Sequence, residues 1–436
     1  MRSSGTSDRF TEYQKQLRMA IRALLPARGL PLICKDGRMR WADRLLVMAA
    51  VLMAWSPANL LQDAFAQARQ VLIAMYLTRR RPGAELSGFL RALQKRSADL
   101  LQRVARALRE RTQQVAGTAF RWKGWVVLGV DGSRINCPRT LANEKGLGCA
   151  GKVRTAPQQL LVTLFHVATG LPWAWRRDRG DGSERGLLLE MLNTMVEKTL
   201  LLADAGFVGY ATLRKLHDAG HAFVVRAGRN VSLLRKLGFE VQERRGTVYL
   251  WPEGKRKESP LVLRLVELQV GKKRIALLTN LHDETALSDA DILSLYRQRW
   301  TIEVMYRSLK QTLGKRTLRA ETPATARCEL DWSMVGLWML GLMAQTAGAT
   351  RSWSPANVLR IVRAALRDPR RRVGSRRLTK MLRAAQRDSY VRTRSKTARD
   401  WPHKKTELPP GTPKIRMATE AEVAQAKEFR KKRDAA

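Results

Sequence analysis

From Trp125 onward the hydrophobic period of this chain changes, and the order of elements that follows leaves few folds open. Trp125-Val126-Val127-Leu128-Gly129-Val130 is a continuous apolar run of the kind that forms a buried strand, and Asp131-Gly132-Ser133 ends it. Gln159 to Val167 and Leu171 to Arg176 read as two more strands, a hairpin around Ala168-Thr169-Gly170. The spacing of Leu187, Leu188, Leu189, Met191, Leu192 and Met195 predicts a helix from Glu184 to Lys198. It leads into Thr199-Leu200-Leu201-Leu202-Ala203, a strand closed by Asp204. A short helix, Tyr210 to Asp218, and a strand from Ala222 to Arg226 complete the order β β β α β α β. That order specifies an α/β chain around a mixed sheet, with aspartates ending the first and fourth strands.

A later helix carries the second constraint. Ser288 with Asp291 three residues on reads as a capping box, and Gly314 as a stop. Between them Tyr296, Arg299, Glu303 and Lys310 sit at about 0°, −60°, −20° and −40° on a helical wheel of ~100° per residue, a stripe about 21 Å long. Leu295, Ile302, Met305, Leu309 and Leu313 form a neighbouring apolar face that can bury. Polar faces of this kind are commonly solvated, with weak ion pairs. The charge balance argues for a partner instead: 81 Lys and Arg against 38 Asp and Glu give a net charge of +43 and a pI near 11.3. Nucleic acid is the expected partner, bound with an affinity that falls steeply with salt. A membrane is not, because Leu45 to Trp55 ends at Ser56-Pro57 and the Gly-rich stretch from Met334 to Ala349 is interrupted by Gln345, both short of the ~20 residues a span needs. No secretory signal is read, and Cys34, Cys137, Cys149 and Cys328 form no CxxC pair, so a reducing, cytoplasmic setting is expected.

Two strand-ending aspartates and a helical glutamate suit metal-assisted phosphoryl transfer, in which paired cations activate a water or 3′-hydroxyl and stabilise the leaving oxygen. Mg²⁺ takes oxygen ligands and few carboxylates, so Asp131 bridging both ions with Asp204 and Glu303 holding one each is the expected arrangement. Other constellations are weaker. His217 and His221 lack the glutamate of a zinc-protease helix, and Ser133 has no histidine in a recognisable pattern.

These residues resemble a known family. Tyr296, Arg299, Glu303 and Lys310 are separated by two, three and six intervening residues, as in the Tyr-Arg-Glu-Lys signature of one group of bacterial insertion-sequence transposases of the DDE class. Asp131-Gly132-Ser133, the turn Ala203-Asp204-Ala205-Gly206-Phe207, and Arg226 at a strand end extend the likeness over roughly 125–314. One departure is the Ala-Gly-Phe after Asp204, where relatives often carry a charge. The resemblance implies a ribonuclease-H-like mixed-sheet core with a β-rich insertion, flanked by N- and C-terminal helical regions. It implies Asp131, Asp204 and Glu303 as catalytic, metal-holding acids for Mg²⁺, with Mn²⁺ able to substitute. Tyr296, Arg299 and Lys310 would contact DNA phosphates, as would Arg226. It further implies cleavage at transposon terminal inverted repeats, strand transfer into target DNA through a hairpin intermediate, and a homodimer on the DNA ends. A ribonuclease-H-fold nuclease or resolvase without strand transfer, and a non-catalytic end-binding protein, remain open alternatives.

The expected organisation is a helical DNA-end-binding region, 1–115, then the core, 120–314, containing the insertion, 228–287. A C-terminal helical region, 315–390, and a basic, largely disordered tail, 391–436, follow. Within the insertion Phe239 to Leu250 reads as a hairpin around Arg245-Gly246, with strands at Leu261 to Gln269 and Arg274 to Leu281. Trp251 beside Pro252 is a candidate for stacking on a displaced base. The stretch from Arg363 to Lys405 holds 16 Lys and Arg against three Asp, favouring phosphate-backbone contact.

Overall fold

The computed structural model describes residues 12–25, 30, 40–76, 81–148, 156–270, 273–349, 353–367, 375–386 and 411–435. Helices α1 (Glu12–Leu24), α2 (Asp43–Trp55), α3 (Leu61–Met75) and α4 (Leu86–Ala116) precede the sheet. Strand β1 (Val126–Asn136) is followed by α5 (Leu141–Leu147), β2 (Gln158–His166), β3 (Leu171–Arg179), α6 (Glu184–Leu189), β4 (Thr199–Ala203), α7 (Tyr210–Asp218) and β5 (Ala222–Ala227). The insertion adds β6 (Ser232–Arg235), β7 (Thr247–Leu250), β8 (Leu261–Val270) and β9 (Lys273–Thr279). Then come α8 (Asp289–Gln298), α9 (Thr301–Arg307), a π-helical turn at Ser308–Thr312, α10 (Pro323–Thr346), α11 (Pro355–Arg367), α12 (Ser375–Arg383), β10 (Lys414–Met417) and α13 (Glu420–Asp434).

All ten strands share one mixed sheet in the order β10-β6-β7-β8-β9-β5-β4-β1-β2-β3. β1 is antiparallel to β2 and parallel to β4, which is parallel to β5, and β9 continues the sheet antiparallel to β5. Because side chains alternate across a strand, Val127, Leu200, Leu202 and Val224 face one core, with α1–α4 and α8–α12. Leu128, Leu201, Phe223 and Val225 face the other, with α6, α7 and α13.

The first core is pinned by α10, a helix apolar on nearly every side and therefore central. Thr322 caps it and Pro323 takes its first position. Trp55 Nε1 of α2 donates to Gly336 O at 3.0 Å, while Trp332 and Trp338 donate to Ser97 Oγ and Thr112 Oγ1 of α4 at 3.0 and 2.9 Å. Asp331, buried on α10, accepts from Trp175 Nε1 and Arg177 Nε of β3 at 2.9 and 2.8 Å. The N-terminal helices thus share a core with the C-terminal ones and with one face of the sheet. Among the described residues no helix is long and apolar enough to cross a membrane.

Four local expectations change. β1 does not end at Asp131 but runs on to Asn136, paired to β2 throughout. The helix expected over 184–198 stops at Leu189, with a 3₁₀ turn at Leu192–Thr194, since Trp173 Nε1 takes the Thr194 carbonyl at 2.8 Å and turns the chain toward β4. Phe239–Gln242 is not a strand: the Tyr249 hydroxyl donates to Glu243 Oε1 at 2.8 Å and accepts from the Glu240 amide, so side chains organise that loop and β7 pairs with β6 and β8. The C-terminal tail, read as largely disordered, carries an unexpected strand, β10, parallel to β6, while α13 spans the short helix that Glu420 to Lys432 predicts. Glu422 explains the docking: it caps α13 with Thr419 and is buried against Arg256 and Arg416. Cys34, Cys149 and the Trp401–Lys405 linker lie outside the described residues.

Candidate active site

Register places the acids. Gly129 of β1 pairs with Leu202 of β4, and Asp131 and Asp204 each follow two residues later, so both stand at one level just past the end of the β1–β4 pairing. Ala203 pairs with Val225, which sets Arg226 of β5 at the same level. By strand alternation all three point to the face covered by α8 and α9. Each carboxylate is also fixed by a downstream glycine: the Gly132 amide donates to Asp131 Oδ1 at 2.9 Å, and the Gly206 amide to Asp204 Oδ1 at 2.8 Å.

The proximity costs charge. The Asp131 carboxyl is pushed up to about 6 by burial first and then by the Asp204 charge, with the Arg299 guanidinium and the Gly132 amide opposing. Burial raises the Tyr296 hydroxyl, on which Arg299, Arg226 and Asp204 all act, and burial lowers the Lys310 ammonium, with Arg316 assisting and Asp131 opposing. Arg299 and Lys310 thus lie within electrostatic reach of Asp131, and Tyr296 within that of Asp204.

They do so without the continuous helix the spacing predicted. α8 ends at Gln298, the chain turns through Arg299 and Trp300, and α9 begins at Thr301 before the π turn that holds Lys310. The uniform wheel fails at both irregularities. Tyr296 and Arg299 are buried, 5% and 7% exposed, and the guanidinium lies 5.6 Å from the Tyr296 ring centre. Among the described residues Tyr296 Oη, Arg299 Nε and Arg226 Nε have no hydrogen-bond partner, a set of buried donors that suits an anion. Glu303 is exposed on the first turn of α9. Trp251 lies elsewhere: 3% exposed, it donates Nε1 to Glu258 O at 2.8 Å and meets Phe429 of α13 edge-on at 6.1 Å, so its ring is covered by the chain itself rather than free for a base.

Three residues that sequence reasoning missed border the site. Tyr306 of α9, buried, donates its hydroxyl to the Asp131 carbonyl at 2.7 Å. Trp300, 57% exposed, presents its ring at the α8–α9 junction. Glu184, capped by Ser183 at the start of α6, packs on Gly132 and is raised by burial and by Asp204, with Arg134 opposing. No periodicity marks Tyr306 or Glu184, because each reaches the site from an element whose packing is tertiary.

Residues 122–339, half of the chain, match the transposase DDE domain family. The chain belongs to that family. The transposase for insertion sequence element IS4 of Escherichia coli (strain K12), InsG, is 26% identical over 271 residues, 58% of this chain and 60% of that protein. The protein y4zB of Sinorhizobium fredii (strain NBRC 101917 / NGR234), also named for a transposase, is 28% identical over 151 residues, 33% of this chain and 42% of its own length. The chain thus spans less than two thirds of either relative. A piggyBac transposase synaptic complex with hairpin DNA aligns with 92% of this chain and 87% of its own at 10% identity, with a TM-score of 0.39.

The transposase DDE domain implies a divalent metal. Asp131 and Asp204 fit one: they are hard oxygen donors at one level, each oriented by a main-chain amide. A third ligand is not yet in place, because among the described residues no three Asp, Glu, His or Cys side chains enclose a metal position.

Proposed function

We propose that this protein is an insertion-sequence transposase that cleaves transposon ends and joins the freed 3′-hydroxyl to target DNA, with Asp131, Asp204 and Glu303 as its acids and Mg²⁺ as its metal. The observation that carries the reading is the level placement of Asp131 and Asp204 on parallel strands within the family match. The order β3-β2-β1-β4-β5, antiparallel in its first part and parallel in its second, supports a ribonuclease-H-like core extended by the insertion.

When bound, the cation supplies activation of a water or 3′-hydroxyl and stabilisation of the leaving oxygen. The chain's own residues do the rest. Asp131 and Asp204 would hold the cation, through carboxylates that the Gly132 and Gly206 amides already orient. Arg299 offers a planar guanidinium to a phosphate, Lys310 a point charge, and Tyr296 and Arg226 unpaired donors beside Asp204. The exposed ring of Trp300, rather than Trp251, is the aromatic surface available to a base. Residues 1–115 bind the transposon terminal inverted repeats in this reading, and a homodimer assembles on them, in the cytoplasm at the nucleoid. The exposure of Glu303 is the specific observation favouring the second reading, a protein that binds ends without cutting them.

An excision assay decides between them. The gene's own flanking DNA is placed around a marker, wild-type protein or Asp204→Asn is supplied, and donor junctions are sequenced. Excision by wild type alone is expected; no excision from either, with specific binding to the flanks retained, overturns the catalytic reading.

A further inference from the structure

The acid edge has a neighbour that the signature does not supply. Glu184 opens α6 with its carboxylate pressed onto the main chain at Gly132: a methyl group built there would come within 2.5 Å of Glu184 Oε1. A methyl group on Gly206 would lie 3.0 Å from Asp204 Oδ1 and 3.8 Å from Glu184 Oε2. The Asp204 and Glu184 oxygens are therefore within about 7 Å of each other, a gap that a divalent cation, which usually keeps several waters, bridges through one of them. Gly132 leaves room for the Glu184 carboxylate, and Gly206 for that of Asp204.

Glu184 is also held. Arg134, on the same strand as Asp131, approaches Glu184 Oε1 at 3.7 Å and anchors its own Nε on Gly180 O at 2.9 Å. The next residue, Arg185, donates Nε to Gly206 O at 2.8 Å, which ties the first turn of α6 to the turn carrying Asp204. Tyr296 and Arg299, on the side of the pair facing α8, suit a phosphate that would accompany a cation rather than the cation itself. Glu303, by contrast, is exposed on α9.

We propose that Glu184 is the third carboxylate of the DNA-free site, reaching a divalent cation held by Asp131 and Asp204 through its hydration water. This rests on the metal-holding role given above to the two aspartates. The cation then has a binding set before DNA arrives, and Glu303 is not part of it.

The test is Mn²⁺ binding to DNA-free full-length protein, followed by electron paramagnetic resonance, with Glu184→Gln, Glu303→Gln and Asp204→Asn compared after thermal melting verifies the fold of each. Glu184→Gln is expected to weaken Mn²⁺ binding on the order of tenfold, as loss of an outer partner does. Glu303→Gln is expected to leave it unchanged, and Asp204→Asn to abolish it. Loss in Asp204→Asn with none in Glu184→Gln overturns the role of Glu184 alone. No loss in any variant overturns the metal reading of the pair and this role with it. Glu184→Asp, which keeps the charge on a shorter stem, should recover part of the affinity; affinity no better than in Glu184→Gln counts against a carboxylate contact.

Discussion

The Tyr306 hydroxyl donates to the main-chain carbonyl of Asp131 at 2.7 Å and reaches Leu161 O at 3.2 Å. The helix that carries Glu303 is thereby fastened to the strand that carries the first aspartate. Tyr306→Phe removes both bonds while keeping the ring, at a cost of about 1–3 kcal/mol for carbonyls left buried. We expect folded Tyr306→Phe to bind ends normally and to cleave them more slowly in single-turnover assays. An unchanged cleavage rate would remove any positioning role for the hydroxyl.

Tyr296 makes the opposite prediction for stability. Its hydroxyl is buried without a partner among the described residues, so Tyr296→Phe should leave the melting temperature unchanged or raise it. End binding should nonetheless weaken. A variant that is destabilised and binds normally would assign the hydroxyl to the fold.

Arg299 sits at the helix break beside Asp131. Arg299→Ala is expected to reduce affinity for transposon ends and to flatten the slope of log K against log salt by about 0.9 for each phosphate it no longer neutralises. Arg299→Lys should recover the charge but not the bidentate geometry, and so only part of the affinity. Salt titrations of end binding measure both, and an unchanged slope in Arg299→Ala would mean that the guanidinium serves only Tyr296 and Asp131.

Glu329 governs acid stability. It accepts from Lys315 Nζ at 2.7 Å, Arg319 Nε at 2.8 Å and the amides of Arg319 and Ala320 at 2.8 and 3.1 Å, while Arg319 also reaches the carbonyls of Ala58 and Met53 behind α2. Burial alone would raise this carboxyl, but Lys315 and Arg319 hold it below its ordinary value. A depressed folded value means that the stabilisation is complete above the unfolded value of about 4.3 and is lost as pH falls below it. Glu329→Gln should therefore cost about 3–5 kcal/mol near neutrality, because it leaves buried cations uncompensated, and should flatten the acid limb of the stability curve. Denaturant melts at pH 7 and pH 3 measure the difference.

Glu422 makes the C-terminal segment separable. Its carboxyl is brought down to about 2, chiefly by the hydrogen bonds from Arg416, against the effect of burial. Glu422→Ala should release β10 and α13 from the insertion, uncover Trp251 and make residues 411–435 the first site of limited proteolysis. Cleavage at the wild-type rate would mean that strand pairing with β6 holds the segment without this ion pair.

The sequence by itself determined the order of the strands from β1 to β5, though not the short helix α5 between β1 and β2, since runs such as Leu200-Leu201-Leu202 are apolar on both faces and bury only as central strands. It placed an aspartate after the apolar run of the first strand and another after that of the fourth, whereas their standing at one level rests on the parallel register of β1 and β4, which tertiary structure decided. Family spacing singled out Tyr296, Arg299, Glu303 and Lys310. Tertiary structure decided where those four point, because a helical wheel assumes one uninterrupted helix and the chain instead turns at Arg299–Trp300 and widens at Ser308–Thr312. It decided that Trp251 is covered, since the residues that cover it, Phe429 and Arg256, come from segments with no local pattern linking them to it. It brought Glu184 and Tyr306 to the acids for the same reason: periodicity records which face of an element is buried, whereas contact across the sheet depends on how separate elements stack.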